Sequence, residues 1–415
     1  MTWRSPIAAT TWFLPILVSV TTLAAADWPQ WRGLSRDGTS PEAGLLKNWP
    51  DGGPKLLWTA TGCGAGFGSP AIAQGMICLT GDFEGKGCLM IFDLDGKLKQ
   101  RLPFARDNGK DTQAPGTRST PTIEDGMIYV SAPLGEVACF DAKTFQNKWT
   151  VNIQERFSGR MPGWEYADSP LIDGDNLICT PGGPDATIVA LNKKTGQTVW
   201  TSKGLSDAAA YSSCLKITVD KVPQIVTFTA HGLVGVNART GEFLWRYDRP
   251  ANTVANCPSP VFADGRVFAA SGYGNGGGAV DIKVTPSGVK AEQAWETKDM
   301  DCHHGGYVLV DGHLYGNHGA GWACIDWKTG QTRYNAKGIG TGSVIYADGM
   351  LYCLSEIGGK VALVKATPKG HQIVSQFVLP KGGSGPTRAH PVISDGRLYI
   401  RHGDALHCYD IRQGK

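Results

Sequence analysis

A nine-residue sequence motif, here called the phrase, recurs along the chain at a nearly constant interval, and it limits which folds the chain can adopt. The phrase is complete as Asn-Lys-Lys-Thr-Gly-Gln-Thr-Val-Trp at 192–200, and it recurs at 141–149, 237–245 and, with Tyr in place of Trp, 326–334. Between the copies lies a second phrase, Ser-Pro or Thr-Pro followed by alternating apolar residues and Asp-Gly. Counting looser forms, eight copies follow one another at steps of 37 to 51 residues. Periods of this length with several short strands each are typical of a propeller.

Each repeat predicts four short antiparallel strands, which together form one blade. Asp-Gly between two alternating apolar runs, as at Asp125-Gly126, predicts a tight hairpin whose turn needs positive φ. One blade cannot bury both of its faces, so neighbouring blades must stack. A Trp at the end of the fourth strand supplies a large apolar ring for the seam between blades. The tryptophans predicted to dock in this way are Trp58, Trp149, Trp200 and Trp245.

The two ends of the chain predict a closed ring. The eighth copy stops near Asp410 without a fourth strand, whereas residues 55–58 form a strand-like segment with no repeat of their own. Pairing of this N-terminal strand with the last blade would close the ring and remove an exposed sheet edge. We therefore expect an all-β, eight-bladed propeller of four-stranded antiparallel blades over residues 54–415, preceded by an extension at 27–53. The alternative is an open array with a frayed end.

The first 26 residues predict a signal peptide. Arg4 precedes a short apolar core, and three alanines end the segment at Ala26. We expect cleavage after Ala26 and a location in the periplasm or outside the cell. No Cys follows that position, so no lipid anchor is expected; a retained anchor is the alternative. No other apolar stretch is long enough for a membrane span. The net charge of +3 without a basic run does not indicate nucleic acid.

The 11 cysteines are predicted to be free thiols in the core. Their number is odd, and the chain has no C-x-x-C. Cys139, Cys324 and Cys408 occupy one repeat position that other copies fill with Ala or Gly, and a buried Cys behaves as a small apolar residue. Export would also permit a disulfide, and a bridge between Cys78 and Cys88 is the alternative.

Residues 190–200 resemble the tryptophan-docking repeat of the pyrroloquinoline-quinone (PQQ) propellers, Ala-x-Asp-x-x-Thr-Gly-x-x-x-Trp. Asp-Trp-Pro-Gln-Trp-Arg-Gly at 27–33, followed by Arg-Asp-Gly at 36–38, resembles the opening of a group of secreted bacterial PQQ-like propellers. The family includes quinoprotein alcohol dehydrogenases and BamB-type scaffold proteins of outer-membrane barrel assembly. The resemblance runs from about residue 28 to the end. It implies the fold, and it leaves the function open because enzymes and scaffolds share the repeat.

Polar residues in the loops that lead into the inner strands predict a binding site at one mouth of the central channel. Different blades contribute them, and convergence of this kind is where a small ligand would bind. The candidates are Arg118, Glu165, Asp168, Tyr211, Asn256, His303, His304, Arg388 and His390.

The resemblance also implies an alternative function, a calcium- and PQQ-dependent dehydrogenase. Such enzymes hold calcium with a Glu, an Asn and a catalytic Asp, and Glu165, Asn256 and Asp301 occur here in that order. Asp301 would then be the base that takes the alcohol's proton. However, the adjacent cysteine pair that covers the quinone in many of those enzymes is missing, and no C-x-x-C-H haem site exists. We therefore expect neither PQQ nor calcium, and no catalysis.

His303 and His304 raise the question of a metal. Adjacent residues on a strand point to opposite faces, and no Cys/His spacing in the sequence fits a zinc site. We therefore expect hydrogen-bonding histidines and no metal. The leading interpretation is a secreted or periplasmic propeller that binds an unidentified protein or small molecule at its channel mouth or rim, without catalysis.

Overall fold

The computed structural model describes residue 1 and residues 26–106 and 115–414. The predicted signal peptide therefore lies almost entirely outside the described residues. Within the described ranges, no helix is long and apolar enough to cross a membrane.

The described residues form eight sheets arranged as the blades of a propeller, and the all-β class is confirmed. Two short strands precede the blades, namely β1 (Thr39–Ser40) and β2 (Lys55–Ala60). Each blade has four antiparallel strands, and β1 adds a fifth, parallel strand to the sheet of blade 7. Blades 1 and 2 comprise β3 (Ala71–Ala73), β4 (Met76–Phe83), β5 (Lys86–Asp93), β6 (Leu98–Arg106), β7 (Thr122–Glu124), β8 (Met127–Ser131), β9 (Glu136–Asp141) and β10 (Asn147–Asn152), followed by the single-turn helix α1 (Ile153–Arg156). Blades 3 and 4 comprise β11 (Leu171–Asp173), β12 (Asn176–Cys179), β13 (Val189–Asn192), β14 (Thr198–Thr201), β15 (Leu215–Val219), β16 (Val222–Phe228), β17 (Leu233–Asn237) and β18 (Phe243–Tyr247).

The second half of the chain continues the same order. Blades 5 and 6 comprise β19 (Val261–Ala263), β20 (Arg266–Ser271), β21 (Gly276–Thr285), β22 (Gly288–Thr297), β23 (Tyr307–Val310), β24 (His313–His318), β25 (Gly321–Asp326) and β26 (Thr332–Ala336). Blade 7 comprises β27 (Gly342–Ala347), β28 (Met350–Ser355), β29 (Lys360–Lys365) and β30 (Ile373–Val378), and blade 8 begins with β31 (Val392–Ser394), β32 (Arg397–His402) and β33 (Ala405–Asp410).

The N-terminal strand β2 is the fourth strand of blade 8. It runs antiparallel to β33, with Lys55 opposite Asp410 and Ala60 opposite Leu406. This is the pairing that the unfinished eighth repeat predicts. Both ends of the chain therefore contribute to one sheet.

The Asp-Gly turns have the backbone that the sequence predicts. In the hairpin between β7 and β8, Asp125 has a φ of 50° and Gly126 a φ of 73°. Asp264, Asp348 and Asp395 precede a Gly in equivalent turns, and their φ values of 49° to 54° are also positive. Two successive positive φ values are the signature of the primed turns that match the twist of short hairpins.

The hydrophobic core is divided among the seams between neighbouring blades. Trp149 packs with β12 and β13 of the next blade, and Trp200 packs with β16 and β17. The rings lie over the Thr-Gly turn of that next blade: a Cβ added to Gly196 would be 2.9 Å from the Trp149 ring, and one added to Gly241 would be 2.5 Å from the Trp200 ring. Close contact between an indole and a glycine backbone therefore sets the spacing of the blades.

The other predicted docking tryptophans follow this scheme with one variation. Trp58 of β2 lies against Gly96 of blade 1, and its indole N–H donates to the Leu94 carbonyl over 3.2 Å. Trp245 is buried between blades 4 and 5, but its indole N–H donates to Gln224 Oε1 of its own blade. Blade 5 docks through Trp295, whose ring lies over Gly330 of blade 6. The sequence analysis missed this residue because the long β21–β22 hairpin interrupts the repeated motif.

All eleven cysteines are free thiols, and ten of them are buried. In the β4–β5 pair, Cys78 lies opposite Ile91 and Cys88 opposite Gly81, so the alternative Cys78–Cys88 bridge is not formed. Cys257 is the one cysteine that is partly exposed.

The N-terminal extension runs through the axis of the ring. Trp28 exchanges two backbone hydrogen bonds of 2.8 Å with Ile72 of β3, and the Pro29 carbonyl accepts from the Ile123 N–H of β7. Farther along, β1 runs parallel to β27, with Thr39 opposite Tyr346. The extension therefore supplies hydrogen-bond partners to the inner edges of blades 1, 2 and 7.

Two buried arginines of the extension bind carbonyl groups of other blades. Arg36 donates to the Ser169 and Pro170 carbonyls at the start of blade 3, both over 3.0 Å. Arg32 donates to the Tyr307 carbonyl in blade 6. Burial lowers the pKa of Arg36 to about 10, so the guanidinium is still charged at neutral pH. Buried carbonyls without a donor would be costly, and these side chains supply the donors.

The seam contact generates a matched pair of substitutions. Gly196 and Gly126 have φ values of 70° and 73°, so Ala at either position has similar backbone strain. A Cβ at Gly126 would meet no atom within 4 Å, whereas one at Gly196 would collide with Trp149. We expect Gly126→Ala to cost about 1–2 kcal/mol of unfolding free energy in urea denaturation, and Gly196→Ala about 1–3 kcal/mol more. Equal losses for the two variants would contradict docking of Trp149 on this turn.

Candidate functional site

Six of the nine predicted site residues line one cavity at the mouth of the channel. They lie in the loops that lead into the inner strands of four different blades, namely blades 2, 4, 6 and 8. The six are Arg118, Tyr211, His303, His304, Arg388 and His390. The cavity has a volume of about 310 Å³ and opens to solvent.

Aromatic rings form much of the lining of the cavity. Trp31 of the N-terminal extension donates its indole N–H to Ser259 Oγ over 2.9 Å, and its ring centroid lies 4.6 Å from that of His390. Trp164 and Tyr211 lie side by side with centroids 6.3 Å apart, and Tyr273 packs edge-on against His303 at 4.8 Å. The extension thus contributes Trp31 to the lining, and the blades and their loops contribute the other rings.

Two arginines give the wall its charge. Arg118 Nη1 lies 3.2 Å from Glu165 Oε2, and Arg388 Nε donates to Glu356 Oε1 over 2.6 Å. Burial would raise the pKa of Glu356, but hydrogen bonds from His304 and Arg388 outweigh burial and hold the pKa at about 2. Of the described residues that line the cavity, none is acidic. The guanidinium groups therefore face the cavity, and their carboxylates lie behind them.

His303 and His304 do not point to opposite faces, and that expectation was wrong. They belong to a loop that ends before β23, so strand alternation does not apply to them. Their ring centroids are 3.6 Å apart, with an angle of 32° between the planes. Burial and then the neighbouring His304 lower the pKa of His303 to about 4, so His303 is neutral at pH 7. The Sγ of Cys257 and one nitrogen from each ring lie within 4.8 Å of one another.

His390 links the cavity to the extension. Its Nε2 lies 3.1 Å from the His304 carbonyl, which can only accept, so Nε2 carries the proton. Its Nδ1 lies 3.4 Å from Arg32 Nη1 and accepts from that guanidinium. Burial, followed by the charge of Arg32, lowers the pKa of His390 from 6.5 to about 3. His390 is thus a neutral histidine with a defined tautomer.

The other three predicted site residues lie behind the cavity or beside it. Glu165 is the partner of Arg118 described above. Asp168 is buried and accepts hydrogen bonds from the Thr180 hydroxyl and N–H, and burial raises its pKa to about 6. Asn256 donates to the Thr229 carbonyl over 3.0 Å and accepts from the Asn252 N–H. These contacts brace the loops that carry the wall.

The residues that the resemblance implies for calcium do not form a ligand set at the cavity. Glu165 binds Arg118, and Asn256 uses its amide to brace its loop. Asp301 accepts from the Gly274 N–H over 2.9 Å, and it does not line the cavity. A calcium ion needs six or more converging oxygens. The donors in this arrangement therefore do not fit the implied ion.

Sequence reasoning missed several residues of the cavity. Trp31 lies outside the repeat, and Tyr273 lies in the Gly-rich turn between β20 and β21, where its φ of 64° turns the chain towards the cavity. Trp164 immediately precedes Glu165, and Cys257 immediately follows Asn256. The position of Trp164 and Cys257 next to predicted loop residues could have identified them. They were left out because mainly polar residues were chosen as candidates.

The pKa of His390 predicts a specific pH dependence of stability. Between pH 6.5 and about 3 the unfolded chain binds a proton at this residue and the folded chain does not, so stability falls as the pH falls. From pH 7 to pH 5 this single group accounts for a loss of about 2 kcal/mol. The variant His390→Gln can keep both hydrogen bonds. Between pH 7 and pH 5 we expect its unfolding free energy to fall by about 2 kcal/mol less than that of the wild type. Parallel stability–pH profiles of the two proteins would contradict the burial of a neutral His390.

Comparison with known proteins places this fold and cavity among related chains. A family model described as outer membrane protein assembly factor BamB matches residues 105–336. Quinoprotein alcohol dehydrogenase PedH of Pseudomonas putida is 30% identical over 37% of this chain and 26% of its own length. Outer membrane protein assembly factor BamB of Shewanella oneidensis is 26% identical over 54% of this chain and 55% of its own length. The chain thus spans about a quarter of the first relative and about half of the second.

Solved structures show the same fold. BamB from Moraxella catarrhalis superposes with a TM-score of 0.63 and 13% identity, over 86% of this chain and 99% of that one. A quinohemoprotein alcohol dehydrogenase from Pseudomonas putida HK5 superposes with a TM-score of 0.68 and 13% identity, over 94% of this chain and 81% of that one. At this identity the likeness concerns the fold alone. Because the family model covers more than half of its residues, the chain belongs to the PQQ-like propeller family described as outer membrane protein assembly factor BamB.

Proposed function

We propose that the protein is a non-catalytic binding protein of the periplasm or cell exterior, and that its mouth cavity holds a small planar anion. The observation that carries the proposal is the lining of the cavity. Aromatic rings and two guanidinium groups face it, and no acidic residue is among the described lining residues. The aromatic residues are Trp31, Phe67, Trp164, Tyr211 and Tyr273.

The chemistry of the wall favours a flat ligand with carboxylate groups. Flat apolar faces accept a planar ring system, and an arginine binds a carboxylate through two parallel hydrogen bonds. Arg388 is positioned for this role because Glu356 holds its Nε and the guanidinium carbon lies 5.4 Å from the centre of the Phe67 ring. The volume of about 310 Å³ is at the lower end of the range for small-molecule sites, so it suits a single small molecule.

Absence of catalysis is supported by the positions of the acidic residues. Asp301, the base under the dehydrogenase alternative, is engaged by the Gly274 N–H outside the cavity. Glu165 and Glu356 are each paired with an arginine. A general base must reach the proton that it removes, and none of these carboxylates is free on the cavity wall.

Calorimetric titration with PQQ tests the proposal, because this quinone is planar and anionic. The lining of the cavity thus leads to a different expectation from the sequence, which predicted that no PQQ binds. We expect saturable binding at one site in calcium-free buffer, without alcohol-dependent reduction of a dye. Arg388→Met should weaken the affinity at least about tenfold, because the group that binds carboxylate is lost. Arg388→Lys keeps the charge but loses the paired hydrogen bonds. Its affinity for PQQ should therefore lie between those of the wild type and Arg388→Met.

The matched control is Arg239→Met, which removes an exposed arginine from the turn of blade 4 and should leave the affinity unchanged. Binding that needs calcium and supports alcohol oxidation would favour the dehydrogenase instead. If PQQ does not bind, or binds equally to both Met variants, the cavity is not an anion site. The assembly-factor relative would then direct the search to a protein partner on the rim.

A further inference from the structure

We propose that Cys257, His303 and His304 form a binding site for a divalent transition metal ion of the zinc class, with one coordination position open to the cavity. This site goes beyond the proposed anion binding and does not depend on it. It rests on three donor atoms, one Sγ and two imidazole nitrogens, that all lie within 4.8 Å of one another.

The donor types fit such an ion. A thiolate and two imidazoles suit zinc, cobalt or copper, and they do not suit the oxygen-seeking calcium or magnesium. Tetrahedral zinc with ordinary bond lengths separates its donors by roughly 3.3–3.6 Å. The three donors therefore need to approach by about 1 Å, which is within the reach of small side-chain rotations in loops.

Neighbouring side chains orient both rings. His303 Nε2 lies 3.1 Å from the Tyr273 hydroxyl, and His304 Nδ1 lies 3.5 Å from Glu356 Oε2. Within the part of the chain that the structure describes, no hydrogen bond engages the remaining nitrogens, Nδ1 of His303 and Nε2 of His304. A carboxylate behind a histidine is a recurrent feature of metal sites, where it fixes the ring and strengthens the ligand.

Accessibility distinguishes this cluster from the core cysteines. Ten cysteines are buried, whereas Cys257 and both histidines are partly exposed and line the cavity. An ion can therefore enter from the solvent. Three protein ligands leave a fourth tetrahedral position, and in metal sites of this composition that position takes water or a ligand.

The site was missed in the sequence because its members come from different blades. Cys257 precedes blade 5, and the histidines precede blade 6, 46 residues later along the chain. Zinc motifs are recognised by closely spaced pairs of ligands within one segment. Here the ring brings equivalent loops of two adjacent blades together. The spacing of ligands within one segment of the sequence cannot show that these loops meet.

Titration of the chelator-treated protein with Co²⁺ tests the site, without any organic ligand. We expect one equivalent to give the absorption of a tetrahedral cobalt–thiolate centre and Zn²⁺ to remove it. Cys257→Ser should abolish the sulfur-to-metal charge-transfer band. His304→Ala should lower the affinity at least tenfold, and Glu356→Gln, which changes only the residue behind the ligand, roughly 10- to 100-fold.

The matched control is His231→Ala, because that histidine lies outside the cavity with 60% of its side chain exposed. It should bind Co²⁺ as the wild type does. Circular dichroism of each variant verifies that the fold is kept. An absent cobalt spectrum, or an identical spectrum in Cys257→Ser, would overturn the proposal. Since the titration contains no planar organic anion, a failure here leaves the anion-binding proposal to its own test.

Discussion

The inner edges of the blades need hydrogen-bond partners, and the N-terminal extension supplies them. In a propeller the first strand of each sheet lies next to the axis. The backbone groups on its axial side have no neighbouring strand within the sheet. A segment from Trp28 to Ser40 pairs with the inner strands of blades 1, 2 and 7, and its arginines bind carbonyls at blades 3 and 6. One short segment therefore joins five of the eight blades at the centre, while the Trp–Gly seams join them farther out.

The same segment determines the shape of the functional site. Trp31 of this segment lines the cavity and donates its indole N–H to Ser259, in the loop that precedes blade 5. His390, which also lines the cavity, contacts both Trp31 and Arg32 of the extension. Two arginines, two stacked histidines and a partly exposed cysteine line the same cavity as Trp31. The extension therefore contributes directly to the lining of the candidate site.

The repeat was sufficient to predict the fold, because each copy carries its own turn, strands and docking residue. Asp125-Gly126 predicted a primed hairpin, and its two positive φ values agree. Long-range contacts of residues outside the repeat were not predictable in this way. Trp295 was missed because a long hairpin alters the phrase, and Trp31 was missed because no local pattern shows that a segment before the first blade enters the axis.

The site was predictable at the level of loops and not at the level of individual contacts. The choice of loops leading into inner strands located the cavity, and six candidates line it. Order along the chain did not predict which oxygens converge, so Glu165, Asn256 and Asp301 were grouped although each has another partner. Strand alternation was the wrong rule for His303 and His304, because a loop allows neighbouring rings to stack.

Hydrogen–deuterium exchange of the protein tests the central claim, that the extension is part of the ring. Its amides at Trp28, Gly33, Arg36 and Gly38 are hydrogen-bonded to backbone carbonyls. Peptides covering 28–40 should therefore exchange as slowly as those covering β3 and β7, and far more slowly than the exposed tip of the β21–β22 hairpin. Exchange of 28–40 as fast as that tip would show that the extension does not occupy the axis, and the account of the cavity would fail with it.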